Sequence, residues 1–232
     1  MYFGDINVKD SLDCILAHTI VINKKKFSKG TIITEIDKNY FINNKIRTIV
    51  CAKLDKNDFH EDKAANIIAE TFHNNSIATE KAYTGRANIL ANKSGLLVID
   101  EEKIRKFNKI SDDITIATLN NNSTVKKGEM IATIKIISFA VKDSFIKKIK
   151  NTIYKKAISI NPYIHKKCAL ILTHHKNKNE KLNSISERRV NERLKNLNCS
   201  LDITSYCEHD TKEISKKINI ILKKKIDLIM IL

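Results

Sequence analysis

Two fold classes in succession are predicted by this sequence. The first is an α+β N-terminal domain over residues 1–157 with a closing helix; the second is an α/β domain over residues 168–232, whose βαβαβ order implies a parallel sheet incomplete at its C-terminus. Three observations carry the prediction. Short helical stripes and β-branched runs are mixed up to Val141, the sole proline, Pro162, interrupts INPYIHKK, and beyond Lys167 apolar runs alternate strictly with helical stripes. A linker over 158–167 is expected between the domains.

Element by element, Val8, Leu12, Ile15 and Leu16 fall at helical spacing behind the capping residue Asn7, which predicts a short helix. Gly30 marks a turn, and Thr34 with Asp37 opens a helix running to about Lys45. IRTIVCAKL has the β-branched content of a strand. Asp58 and Glu61 then start a helix with Ala64, Ala65, Ile68 and Phe72 on one face. Strands follow in AYTGRANIL, GLLVID, DITIATL and KKGEMIATIKIISFAV, with EEKIRKF as a short helix between them and Lys126–Glu129 as a tight reversal. Asp143 is expected to cap the closing helix, which carries Ile146, Ile149, Ile153 and Ala157.

In the second domain CALILT reads as a strand buried on both faces. Ser184 and Ser186 are expected to cap a helix with Val190, Leu194 and Leu197. CSLDITSYC is the next strand, Asp210 caps a helix bearing Ile214, Ile218, Ile221 and Leu222, and IDLIMIL is the third strand. No helices are left to cover the far side of this sheet, so either the product is a fragment or a partner completes it.

A net charge of +16 raises the question of nucleic acid. The basic residues are spread along the whole chain, are nearly all Lys, and have no aromatic stacking motif beside them, which favours solvated lysine faces. The N-terminus lacks an apolar h-region and no run is long enough to cross a bilayer, so a cytoplasmic protein without a membrane partner is expected. Five cysteines, Cys14, Cys51, Cys168, Cys199 and Cys207, show no metal-ligand spacing and are expected to be reduced. With five glycines in all, neither G-x-G-x-x-G nor G-x-x-x-x-G-K occurs.

The candidate site residues sit at predicted strand ends and turns. His174 and His175 follow the first α/β strand, where an imidazole could meet an anion, a metal or a base edge; a polar loop entry is the plainer reading. His209 and Asp210 end the second strand, with Asp210 most simply a helix cap. Arg188 and Arg189, beside Glu187 and Arg193, could fork onto a phosphate or lie on a solvated helix face. In the N-terminal domain Thr84, Arg86 and Asn88 form a polar loop around Gly85, with donors suited to a planar or anionic ligand. No catalytic nucleophile or general base stands out.

Several segments together, ILAHT around His18, KGTIIT, EDKAA at 61–65, TGRAN at 84–88, GLLVID, DITIATL and KGEMIATIKIISFAV, resemble the N-terminal part of bacterial molybdopterin-binding proteins related to molybdopterin molybdenumtransferase. CALILT, ERRVNERLKNL, YCEHD and KKIDLIMIL resemble the opening of the molybdenum-cofactor biosynthesis domain. The resemblance implies molybdopterin as ligand, a pterin with a dithiolene and a phosphate, and a role in molybdenum-cofactor synthesis or maturation. By position it places Thr173, Arg188, Arg189, His209 and Asp210 near the pocket, with His174 alongside. Asn120 and Ser138 stand where that family often has proline, and the family's glycine-bearing loop after the third strand would lie beyond Leu232. A shortened form is therefore expected, completed by a separately encoded C-terminal fragment or by a second copy. Two other classes compete: a non-enzymatic remnant or scaffold of the same family, and a basic nucleic-acid-binding module.

Overall fold

The computed structural model describes residues 1–153, 157–175 and 180–232, which divide into two compact units, Met1–Asn161 and Pro162–Leu232. Helices and strands are mixed throughout, with the strands gathered into several small sheets. Among the described residues no helix is long and apolar enough to cross a membrane.

Strand β1 (Tyr2–Asn7) runs into a single 3-10 turn at Val8–Asp10, which Asn7 caps by accepting the Lys9 amide at 3.0 Å. The predicted helix stops there. Asp13 adopts a φ of 61°, outside helical space, and Ile15–Leu16 becomes strand β2, its apolar residues buried through turns rather than along a helical face. Strands β3 (Ile20–Ile22) and β4 (Lys25–Phe27) form a hairpin over Asn23 and Lys24, both at positive φ, as a two-residue turn of matching twist requires. Helix α1 (Glu35–Asn43) starts at a reciprocal capping box between Thr34 and Asp37. Strand β5 (Thr48–Lys53) lies between β1 and β2. Phe27 and Phe41, with ring centroids 4.6 Å apart, join Cys14, Ile33 and Cys51 in a compact core beneath it.

Strand β6 (Asp58–His60) leads into helix α2 (Glu61–Glu70), capped by His60 rather than by Asp58. Strands β7 (Ile77–Thr79), β8 (Arg86–Ala91) and β9 (Gly95–Ile99) follow, then helix α3 (Glu101–Asn108). Strands β10 (Ile114–Thr118), β11 (Thr124–Val125), β12 (Met130–Ile136) and β13 (Ala140–Lys142) complete the predicted run of strands. Helix α4 (Asp143–Thr152) has Lys142 as its cap residue with no side-chain cap bond; Asp143 is its first residue and pairs instead with Lys147 at 2.7 Å. The main sheet has the order β10-β12-β8-β7, and α2 covers it with Ala64, Ala65 and Ile68, small enough to bring helix and sheet close.

The segment expected to be a linker holds strand β14 (Ile158–Pro162), which joins β9 and β11. Ile158 and Ile160 point into the large core on a period of two, and Pro162, lacking an N–H, stands at the strand's last position. Burial of that alternation is what keeps the segment from being a tether.

In the second unit β15 (Lys166–His174) is central, with β16 (Cys199–Glu208) on one side and β17 (Leu228–Ile231) on the other, both parallel to it. Helix α5 (Glu180–Asn196) joins β15 to β16, and α6 (Thr211–Leu222) joins β16 to β17. Ser184 and Ser186 lie inside α5, which begins earlier than the serines suggested. Because the strand order reverses at β15, the two helices take opposite faces. Ile214, Ile218 and Ile221 of α6 cluster with Ala169, Ile171, Ile203 and Cys207. On the other face Glu187 of α5 accepts hydrogen bonds from Thr204 at 2.7 Å and Tyr206 at 3.1 Å. The far side expected to be bare is thus covered.

Candidate functional site

The strand ends of the second unit gather four of the six residues named there. The Thr173 hydroxyl lies 3.0 Å from Nδ1 of His209 and 3.0 Å from the carbonyl oxygen of Leu232, to which it donates. A hydroxyl has one proton, so with that proton on Leu232 the His209 Nδ1 carries its own and donates to Thr173. The His209 amide donates to the His174 carbonyl at 2.9 Å, fixing the two strand ends together. The His175 and His209 rings lie 4.9 Å apart, and Nδ1 of His174 is buried without a hydrogen-bond partner among the described residues. Asp210 is committed to the helix: its Oδ1 accepts from the Lys212 and Glu213 amides at 2.9 and 3.2 Å. Arg188 and Arg189 are exposed in the middle of α5, about 12 Å of helix beyond Glu180, and are not brought to this cluster.

In the first unit the residues read as one polar loop separate. Arg86 and Asn88 belong to strand β8, whose alternate residues Ala87, Ile89 and Ala91 are buried, so both side chains stand on the outer sheet face. There Arg86 Nε donates to Thr133 Oγ1 at 3.1 Å, Thr133 donates to Asn88 Oδ1 at 3.0 Å, and Asn88 Nδ2 donates to Glu80 at 2.8 Å. This ladder engages Arg86 Nε and Asn88 Nδ2 on the sheet face, away from a loop. The loop reading failed because period-two burial extends two residues further toward the turn than the glycine implied.

Thr84 turns the other way, into a cleft of about 600 Å³ lined by Lys29–Thr31, His60–Asp62, Tyr83, Thr84 and Lys135–Ile137 with Phe139. Tyr83 and Arg86 exchange backbone hydrogen bonds at 3.0 and 3.1 Å, and both central residues have positive φ, 49° at Thr84 and 71° at Gly85. This is a two-residue hairpin turn of the type that takes Asn-Gly. Gly85 is required: a Cβ there would come within 2.9 Å of the Ile136 carbonyl oxygen and 3.2 Å of Glu61 Oε2. Its amide donates to Asp62 Oδ1 at 2.7 Å, and its carbonyl accepts the Ile136 amide at 2.7 Å.

The charges of the cleft are mixed. His60 accepts the Asp62 amide through Nδ1 at 3.3 Å, so Nε2 carries the proton in the neutral ring. Burial, reinforced by Asp62, pushes the Glu61 carboxyl above its usual range, against the opposing pull of His60 and Lys29. Its carboxylate accepts no hydrogen bond among the described residues, although its own amide donates to the Phe139 carbonyl at 3.1 Å. Lys29 Nζ stands 5.4 Å from the Phe139 ring centre. Sequence reasoning missed Lys29, His60, Glu61 and Lys135 because they lie on three segments far apart in the chain, and no spacing within any one of them marks a site. All five cysteines are free thiols, with Cys199 the only one not buried. No family model, curated protein or solved structure matches this chain.

Proposed function

We propose that this chain binds molybdopterin in molybdenum-cofactor synthesis or maturation, using the strand ends of its second unit. The reading starts from the segments CALILT, ERRVNERLKNL, YCEHD and KKIDLIMIL, and takes β15–β17 with α5 and α6 as the opening of a molybdenum-cofactor biosynthesis domain. In parallel sheets ligands sit at the carboxyl ends of strands, most often where the order reverses, and here that is the end of β15. The observation that carries the proposal is the buried, unpartnered Nδ1 of His174 beside the Thr173–His209 pair. Buried polar atoms are normally satisfied, so a ligand group at this place would remove a standing cost.

These residues suit a pterin phosphate in part. The imidazoles of His174 and His209 can serve a phosphate oxygen or a ring edge, whereas Asp210 is held by its helix and already accepts from the Lys212 and Glu213 amides. Arg188 and Arg189 take no part in this reading. When bound, molybdopterin would bring dithiolene sulfurs able to hold molybdenum; the side chains named here bind and orient it. Titration of the purified chain with molybdopterin, followed by pterin fluorescence, is expected to show saturable binding that His174→Ala with His209→Ala weakens at least about tenfold, or about 1.4 kcal/mol. Absence of saturable binding to the folded chain sinks the proposal.

A further inference from the structure

We infer that the cleft of the first unit is a second binding site, for a small aromatic heterocycle that presents an N–H edge and carries a phosphate. It is separate from the strand-end site and does not rest on it. Four stretches of chain far apart in sequence build its walls, and a volume of about 600 Å³ falls within the range of small-molecule sites.

The ligand class follows from what the cleft offers and leaves unused. Glu61 is a half-buried acceptor without a hydrogen-bond donor among the described residues, which matches an N–H edge. Lys29 supplies a cation for a phosphate, and the Phe139 ring, with the exposed Tyr83, supplies a surface for a planar ring. A purely anionic ligand would meet Glu61 and Asp62; a purely cationic one would meet Lys29. Only a molecule with both kinds of group satisfies the lining.

Thr84 adds an independent observation. At φ 49° a β-branched residue is strained, and Asn or Gly is the low-energy choice at this turn position. Strain of this kind persists where the side chain has a use, and Thr84 faces the cleft, where its hydroxyl can orient the ligand.

The test uses the full chain and calorimetric titration with GMP, with neopterin monophosphate and with inorganic phosphate. One of the two heterocyclic phosphates is expected to bind with a Kd of about 100 μM or tighter. Glu61→Gln and Lys29→Gln should each weaken it about tenfold. Thr84→Asn should weaken it as well while raising the melting temperature, a combination that a merely structural Thr84 would not give. His174→Ala with His209→Ala should leave this binding unchanged, so failure of the strand-end site is told apart from failure of this one. The inference is overturned if neither heterocycle binds at millimolar concentration, if phosphate alone binds as tightly, or if the Glu61 and Lys29 variants bind normally.

Discussion

The first unit closes its largest core with residues from many elements, among them Ile68, Ile89, Leu97, Phe107 and Ile134, all free of solvent contact, whereas the second draws its core mainly from the strands β15 and β16 and the helix α6. On the α5 face of the second unit the contacts are partly polar, Glu187 holding Thr204 and Tyr206. The difference teaches where each unit can hold a ligand. A core built from many elements carries a strained turn and a half-buried carboxyl at its surface; the smaller one has its candidate site residues at the strand ends.

The comparison breaks most directly at Phe107. Its replacement by Ala removes a ring packed on Phe72 at 6.5 Å and should cost about 3–5 kcal/mol. Hydrogen exchange should show protection lost in peptides from Met1–Asn161 and kept in those from Pro162–Leu232. Ile171→Ala, at the middle of β15, should cost about 2–5 kcal/mol and do the reverse. Loss of protection in both units from either substitution would mean that they unfold as one.

A third effect is centred on the first unit. Burial, with the neighbouring Cys14 thiol, pushes the Cys51 thiol up to about 12 from 9.0. Above pH 9 the unfolded chain ionises this thiol while the folded chain keeps it protonated, so the unfolded state binds fewer protons and stability falls as pH rises. The slope from this thiol reaches at most about 1.4 kcal/mol per pH unit and ends near pH 12. Urea unfolding at pH 8 and pH 10 should show the fall, and Cys51→Ala should lessen it, the raised Cys14, Cys168 and Cys207 thiols keeping the rest. The smallest effects lie at helix starts: Asp210→Ala should cost about 1 kcal/mol through its lost cap, whereas Asp143→Ala, whose ion pair with Lys147 is exposed, should cost only about 0–0.5 kcal/mol. Thermal melts of the two variants rank them.

Local chemistry was readable where few residues decide it. Thr34 with Asp37, Asp210, the period-two strand DITIATL and the α2 face of Ala64, Ala65 and Ile68 all behave as their spacing indicates. The segment after Asn7 did not, because helical spacing of Val8, Leu12, Ile15 and Leu16 cannot register the φ of 61° at Asp13 that turns the chain into β2. Nor did 158–167, where the proline outweighed the buried alternation of Ile158 and Ile160. For the sites, Thr173, His174 and His209 could be placed together because parallel strands put their carboxyl ends at one edge. The separation of Thr84 from Arg86 could not, since it depends on which way one turn faces.

By itself the sequence determined most element types, the alternating order of the second unit and the strand-end histidines, since capping, periodicity and connection handedness act over a few residues or follow from chain direction. Only the tertiary structure decided that α5 and α6 take opposite faces of β15, and that Lys29, Glu61, Thr84 and Lys135 share a cleft. Those are matters of which distant segments meet. That is set by the packing of the whole core, which no single segment encodes.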